Sequence, residues 1–234
     1  MPEVRLVHNY QVHPGKGDDY KGLWDSEYDT INGQPGCEQW ELFQSTTTPE
    51  NFALLEHWES RGAFHSYWKI QKVRPVAGKE CIDYSTMRTE IYWDQKYYKL
   101  DNGVWVPRDG GATDEAEDRK SPVRLVINTT AKEGMSDAYA EAWAPHGEEV
   151  RKEPGCLQYE LFRSTRIPEN LALLELWESK DAFEKHWELE RERPNVTADF
   201  TAGPGERRVG LSGLEIYYDV RTYEFDGQNW VVQE

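Results

Sequence analysis

Two asparagines, a histidine–tyrosine pair and four indoles stand at matched places in the two halves of this 234-residue chain. Asn9 and Asn128 each interrupt an apolar extended run. A buried amide must find partners, because leaving it unpaired costs roughly 1–3 kcal/mol. The plain reading is a bond to the neighbouring loop. His186 and its counterpart Tyr67 lie on amphipathic segments. A neutral imidazole can take a proton near pH 7, and a tyrosine can orient or donate. Packing on a helix face is the competing reading for both. Trp24 and Trp143, and Trp68 and Trp187, recur at helical spacing. Such aromatics are more often core than ligand-binding, yet so many indoles in so small a unit predict that at least one pair touches a pocket. Arg74 and Arg193 each precede a proline. They could bind a carboxylate or phenolate, although charge at a helix C-terminus is the simpler account.

The halves differ where a pocket would be lined. The first carries His8, Tyr10, Trp40, His57 and His65; the second has Ile127, Thr129, Tyr159, Leu176 and Glu184 in their places. This divergence predicts two non-equivalent sites, one a candidate for silence. His8, Tyr10 and Trp40 therefore join the candidate binding residues.

The elements that position these residues are written twice. Val4-Arg5-Leu6-Val7 recurs as Val123-Arg124-Leu125-Val126, and Pro35-Gly36-Cys37 as Pro154-Gly155-Cys156, both at a shift of 119. From Val4 to Pro75 the match needs no gap, and 33 of those 72 positions are identical. The repeat resumes at a shift of 125, where Glu90-Ile91-Tyr92 matches Glu215-Ile216-Tyr217. The difference, 125 − 119 = 6, places a six-residue insertion in the second copy, within the Gly-rich stretch from Thr201 to Gly213.

Within one copy, Val4 to Val12 reads as a strand, with Val4, Leu6 and Val12 on one face and Val7 and Asn9 on the other. Asp18 to Ile31 has helical spacing. Cys37 to Ser45 and Phe52 to Trp58 read as strands. Ser60 is the expected N-cap of a second helix carrying Ala63, Phe64, Tyr67 and Trp68 and closed by Arg74-Pro75. Thr89 to Trp93 is the fourth strand, and Tyr97 to Val106 a hairpin turning at Asp101-Asn102-Gly103. The order β-α-β-β-α-β is the ferredoxin-like arrangement. The fold class is α+β, with tandem units over 1–108 and 121–234 and a polar linker over 109–120. A sheet with both helices on one face leaves the other face needing cover. The two units are therefore expected to cover each other as an intramolecular pseudo-dimeric barrel.

Composition excludes several partners. Acidic residues number 43 against 27 basic ones, a net charge of −16. That argues against nucleic acid and anionic membrane surfaces. No apolar run approaches a transmembrane length, and the start lacks the regions of a signal peptide. Cys37, Cys81 and Cys156 match no zinc or redox spacing, so reduced thiols and a cytoplasmic location are expected. The six histidines fall in no ligand spacing with carboxylates, so no metal is expected. No nucleophilic triad is visible.

The run Glu153-Pro154-Gly155-Cys156-Leu157-Gln158-Tyr159-Glu160-Leu161-Phe162 carries a family resemblance. So do Pro168, Leu173-Leu174-Glu175-Leu176-Trp177-Glu178-Ser179, and Ala182-Phe183 followed by His186. The first copy repeats most of it. These residues resemble the antibiotic biosynthesis monooxygenase family of dimeric α+β barrels. The resemblance implies a cofactor-independent oxygenase of secondary metabolism that converts a phenolic, polyketide-like or hydroquinone substrate with O₂. The substrate is then its own electron source, and the protein supplies an aromatic slot, a proton acceptor and groups that hold the anion. It also implies that Asn9 and Asn128 face the pocket between sheet and helices and bond a substrate oxygen or O₂, and that His186 acts on a phenolic proton.

Three alternatives keep the same pocket: an isomerase or cyclase, a non-catalytic binder, and a haem-degrading oxygenase. The last needs an axial histidine further along the second helix, where Lys72 and Arg191 stand instead, and neither is a good ligand for haem iron. The hairpins at Tyr97–Val106 and Tyr223–Val231 offer edges through which two pseudo-dimers could pair.

Overall fold

A computed structural model describes residues 3–74, 78–102, 104–109, 119–203 and 213–233. Most of the expected linker and of the expected insertion lies outside these residues. The described residues form two compact units.

Unit 1 takes the described part of Met1–Gln95, together with Ser164–Arg166 and the described part of Arg221–Glu234. Its elements are β1 (Val4–Val12), α1 (Gly17–Asn32), β2 (Cys37–Ser45), β3 (Asn51–Trp58), α2 (Arg61–Gln71) and β4 (Ile82–Tyr92). The strands lie in the order β4-β1-β3-β2, every pair antiparallel. Alternation along β1 sends Val4, Leu6, Tyr10 and Val12 into one core with Trp24, Ile31 and Phe64 of the helices. β4 begins at Ile82, seven residues before the expected Thr89. Its first half is mostly exposed, so no apolar period marks it, and its register against β1 shifts between Asn9 and Gln11.

The repeated Pro-Gly-Cys motif has a steric cause. Gly36 has φ +76°, and a Cβ there would lie 2.6 Å from the Cβ of Ala63 on α2. Only glycine lets the turn into β2 press so closely on that helix. Ser60 caps α2 as expected, its hydroxyl accepting from the Ala63 amide at 3.1 Å.

Unit 2 takes the described parts of Lys96–Arg163 and Ile167–Val220. It opens with a hairpin, β5 (Tyr97–Asp101) and β6 (Val104–Pro107). There follow β7 (Val123–Thr130), α3 (Ser136–Val150), β8 (Cys156–Ser164), β9 (Asn170–Trp177), α4 (Lys180–Glu190) and β10 (Gly213–Tyr218). The strand order is β8-β9-β7-β10-β5-β6. Gly155, φ +82°, repeats the close approach to Ala182, and Ser179 repeats the cap.

The compact units cut across chain order at the hairpins. The hairpin that follows β4 belongs to unit 2, where β5 pairs with β10 and Tyr98 enters the core. The C-terminal hairpin, β11 (Tyr223–Phe225) and β12 (Trp230–Val232), belongs to unit 1, where Thr222 bridges Glu90 of β4. β5 thus lies between β10 and β6, and β6 is the edge strand of unit 2. Among the described residues, no helix is long and apolar enough to cross a membrane.

Candidate functional site

Unit 1 holds a cavity of about 840 Å³, bounded by the helix-facing side of its sheet, by α2 and by the C-terminal hairpin. The alternation of β1 that buries Leu6 also turns His8 and Tyr10 into this cavity. β3 contributes Leu54 and Glu56, β2 contributes Trp40, and β4 contributes Thr89. One turn of spacing on α2 presents Tyr67 and Gln71, and likewise Trp68 and Lys72.

At the polar end, His8 lies between two side chains. Its Nδ1 is 2.9 Å from the Thr89 hydroxyl, and its Nε2 is 3.2 Å from Glu56 Oε1. The other oxygen of Glu56 accepts from the Trp58 indole at 2.9 Å. His8 is 9% exposed and Glu56 4%, so their mutual contact is little screened. Glu56 is within ion-pair reach of Nε2, and the Thr89 hydroxyl can donate to or accept from Nδ1 according to the tautomer. Thr89, which bonds Nδ1, also lines the cavity.

The tyrosines play the opposite part. Tyr10 and Tyr20 share a hydrogen bond of 2.6 Å between their hydroxyls. Burial, with Tyr20 next, raises Tyr10 well above the usual phenol range. Burial, followed by the charge of Glu56, does the same to Tyr67. These hydroxyls stay protonated and can donate. Tyr67 stacks on Trp58 at 4.4 Å, and Trp40 stacks on Trp24 at 4.2 Å and 9°. Trp24 therefore supports the wall from behind and is absent from the lining. Arg74 lines the cavity while ion-paired with Glu27 of α1.

Asn9 is not where the resemblance put it. It points to the face of β1 opposite His8 and Tyr10, and its amide donates to the Phe52 carbonyl at 2.9 Å. Asn128 is buried at the same phase of β7, opposite Ile127, which packs with the helix-side core. The physical reason is the two-residue period of a strand: a residue between two that face the helices cannot face them too.

Unit 2 fills the matching positions with a bonded network. His186 stacks on Trp177 at 4.4 Å, as Tyr67 does on Trp58. Its Nδ1 lies 2.8 Å from Glu153 Oε2, and its Nε2 lies 3.9 Å from Glu175 Oε2. Arg193 holds Glu153 at 2.6 Å and Glu190 at 3.1 Å. His146 reaches Tyr159, which stacks against Trp143 at 5.7 Å. Trp187 packs on Trp105 at 4.6 Å. Burial lowers the His186 pKa and raises that of Glu175 to about 8.

The sequence reading missed Glu56, Thr89 and the two hairpin aromatics Phe225 and Trp230. Glu56 carried a signal: a carboxylate on the apolar phase of β3, in both copies, two residues before tryptophan. Thr89 carried none, because its place depends on how β4 pairs with β1.

Fold and site together define a tandem of ferredoxin-like α+β units, with an aromatic cavity lined by His8 and Glu56 in the first. The pattern of the family described as Antibiotic biosynthesis monooxygenase matches residues 4–70 and 122–191. The chain belongs to that family. Among solved structures it is similar to a conserved protein from Methanosarcina mazei Go1, at 25% identity over 40% of this chain and 94% of that one, TM-score 0.36. It is similar to a protein from Shewanella oneidensis, at 23% identity over 43% and 93%, TM-score 0.35. It is also similar to an anthrone oxidase-like protein, at 14% identity over 95% and 94%, TM-score 0.34. No curated protein matches.

Proposed function

We propose that the chain is a cofactor-independent oxygenase and that the cavity of unit 1 is its working site, taking a phenolic or hydroquinone-like aromatic substrate. The observation that carries this reading is the Glu56–His8–Thr89 array opening on an aromatic cavity. His8 removes a proton from the bound substrate, and Glu56 stabilises the imidazolium that forms. Tyr67 donates toward the substrate oxygen and holds the anion. The anion reduces O₂, and a carbon–oxygen bond forms at the activated carbon. For a ring methylene, R₂CH₂ and O₂ give R₂C=O and H₂O, so the two oxygen atoms divide between product and water. The reading includes a cytoplasmic role in secondary metabolism, in keeping with three free cysteines, and association of two chains.

The test is oxygen uptake with a panel of anthrones and hydroquinones, with no metal or flavin added. Uptake abolished by His8→Gln supports the reading. Tight binding without uptake favours a binding protein, and turnover without uptake favours an isomerase; either result removes the oxygenase.

A further inference from the structure

The one wall of the unit 1 cavity that the first repeat does not supply comes from the C-terminal hairpin. Its placement is well secured. Thr222 bridges Glu90, and the Gln233 amide donates to the Thr222 carbonyl at 2.8 Å. Asp226 accepts from the amides of Gln228 and Asn229, both at 2.7 Å, and Gly227, φ +98°, completes the reversal. The hairpin so fixed sets Phe225 and Trp230 against Trp68, with ring centroids 5.0 and 4.8 Å away, and 5.6 Å from each other. Trp230 also comes to 6.3 Å from the His8 ring. Three aromatic rings thus form one wall that ends beside the imidazole.

We propose that this hairpin sets the size selectivity of the cavity, with Trp230 as the specificity-determining residue. The inference rests on the reading of the cavity as a site for aromatic substrates. Its volume of about 840 Å³ lies near the top of the roughly 300–1,000 Å³ usual for small-molecule sites. A single ring held at His8 leaves most of that space, and most of the wall, untouched. A fused-ring ligand extends from His8 along Trp230 toward Trp68 and gains stacking area there. Selectivity then resides in a short hairpin separate from β1 and β3, the strands that carry His8 and Glu56.

The experiment compares two unreactive probes on the full chain by calorimetry: 1,8-dihydroxyanthraquinone, with three rings, and 4-methoxyphenol, with one. Trp230→Ala is expected to weaken the three-ring probe at least tenfold and the one-ring probe less than twofold, with Trp230→Phe restoring most of the loss. Circular dichroism checks that the variant folds. If it does not, Phe225→Ala is judged by the same ratio. Equal weakening of both probes, or none for the larger, overturns the proposal. Failure of the parent protein to bind either probe overturns this proposal and the aromatic-site reading together. Three-ring binding that depends on Trp230, without oxygen uptake from anthrones, removes the oxygenase alone.

Discussion

Glu56 Oε1 lies 3.2 Å from His8 Nε2, although the residue directly opposite Glu56 on β1 is Leu6. The contact is a diagonal one, within reach of long side chains on neighbouring antiparallel strands. It gives a buried carboxylate a titratable partner. In the second repeat Glu175 keeps the carboxylate while Ile127 takes the place of His8. There burial, first of all, pushes the carboxyl up to about 8. The histidine near Glu175 comes from α4 instead, with His186 Nε2 3.9 Å from its carboxylate.

His8→Gln keeps a polar group of similar reach and removes the base. It is expected to lower kcat/KM for a phenolic substrate by about 100- to 10,000-fold, the usual worth of a positioned general base. Oxygen-uptake kinetics measure this. A loss of less than tenfold would take the proton-accepting role away from His8.

Asn9→Ala deletes the bond to the Phe52 carbonyl on the face of β1 away from the cavity. A loss of about 1 kcal/mol in urea unfolding is expected, with turnover nearly unchanged. A collapse of turnover at unaltered stability would return Asn9 to the site.

Gly36→Ala and Gly15→Ala separate conformation from contact. Both glycines have positive φ, +76° and +75°, but a Cβ at Gly36 meets Ala63 at 2.6 Å whereas at Gly15 nothing lies within 4 Å. Gly15→Ala should cost about 1–2 kcal/mol from the left-handed backbone alone. Gly36→Ala should cost clearly more, read as a lower melting temperature. Equal losses would mean that α2 yields freely.

Glu175→Gln tests the buried carboxyl of unit 2. Its folded pKa, about 8, exceeds the ordinary 4.5. The folded state therefore holds a proton that the unfolded state has released. The resulting stability is complete below about pH 4.5 and is lost as pH rises through 8. The glutamine variant keeps an acceptor for the Trp177 indole and has no such proton. Relative to the parent it should gain stability of a few kcal/mol between pH 5 and 9. A constant difference across that range would show that Glu175 is already ionised when folded. The lowered pKa of His186 acts in the other direction, costing stability as pH falls below its ordinary 6.5.

Features under local chemical control were legible in the residues alone. Repeat spacing, apolar period, the serine caps and the Pro-Gly turns were enough for the element order of each copy, because each depends on residues a few positions apart. Even the orientation of Asn9 was legible: its phase on β1 opposed Leu6, and the resemblance, not the alternation, turned it toward the pocket. Tertiary structure alone decided three things. It brought Glu56 and Thr89 to His8, since strand register joins residues 48 and 81 positions away from it. It assigned each hairpin to its unit, because an exposed-looking hairpin carries no local sign of which core its aromatics will join. And it separated His186, bound within a buried network, from His8, which faces a cavity. Burial and partners, rather than residue type, decide which imidazole is available to a substrate.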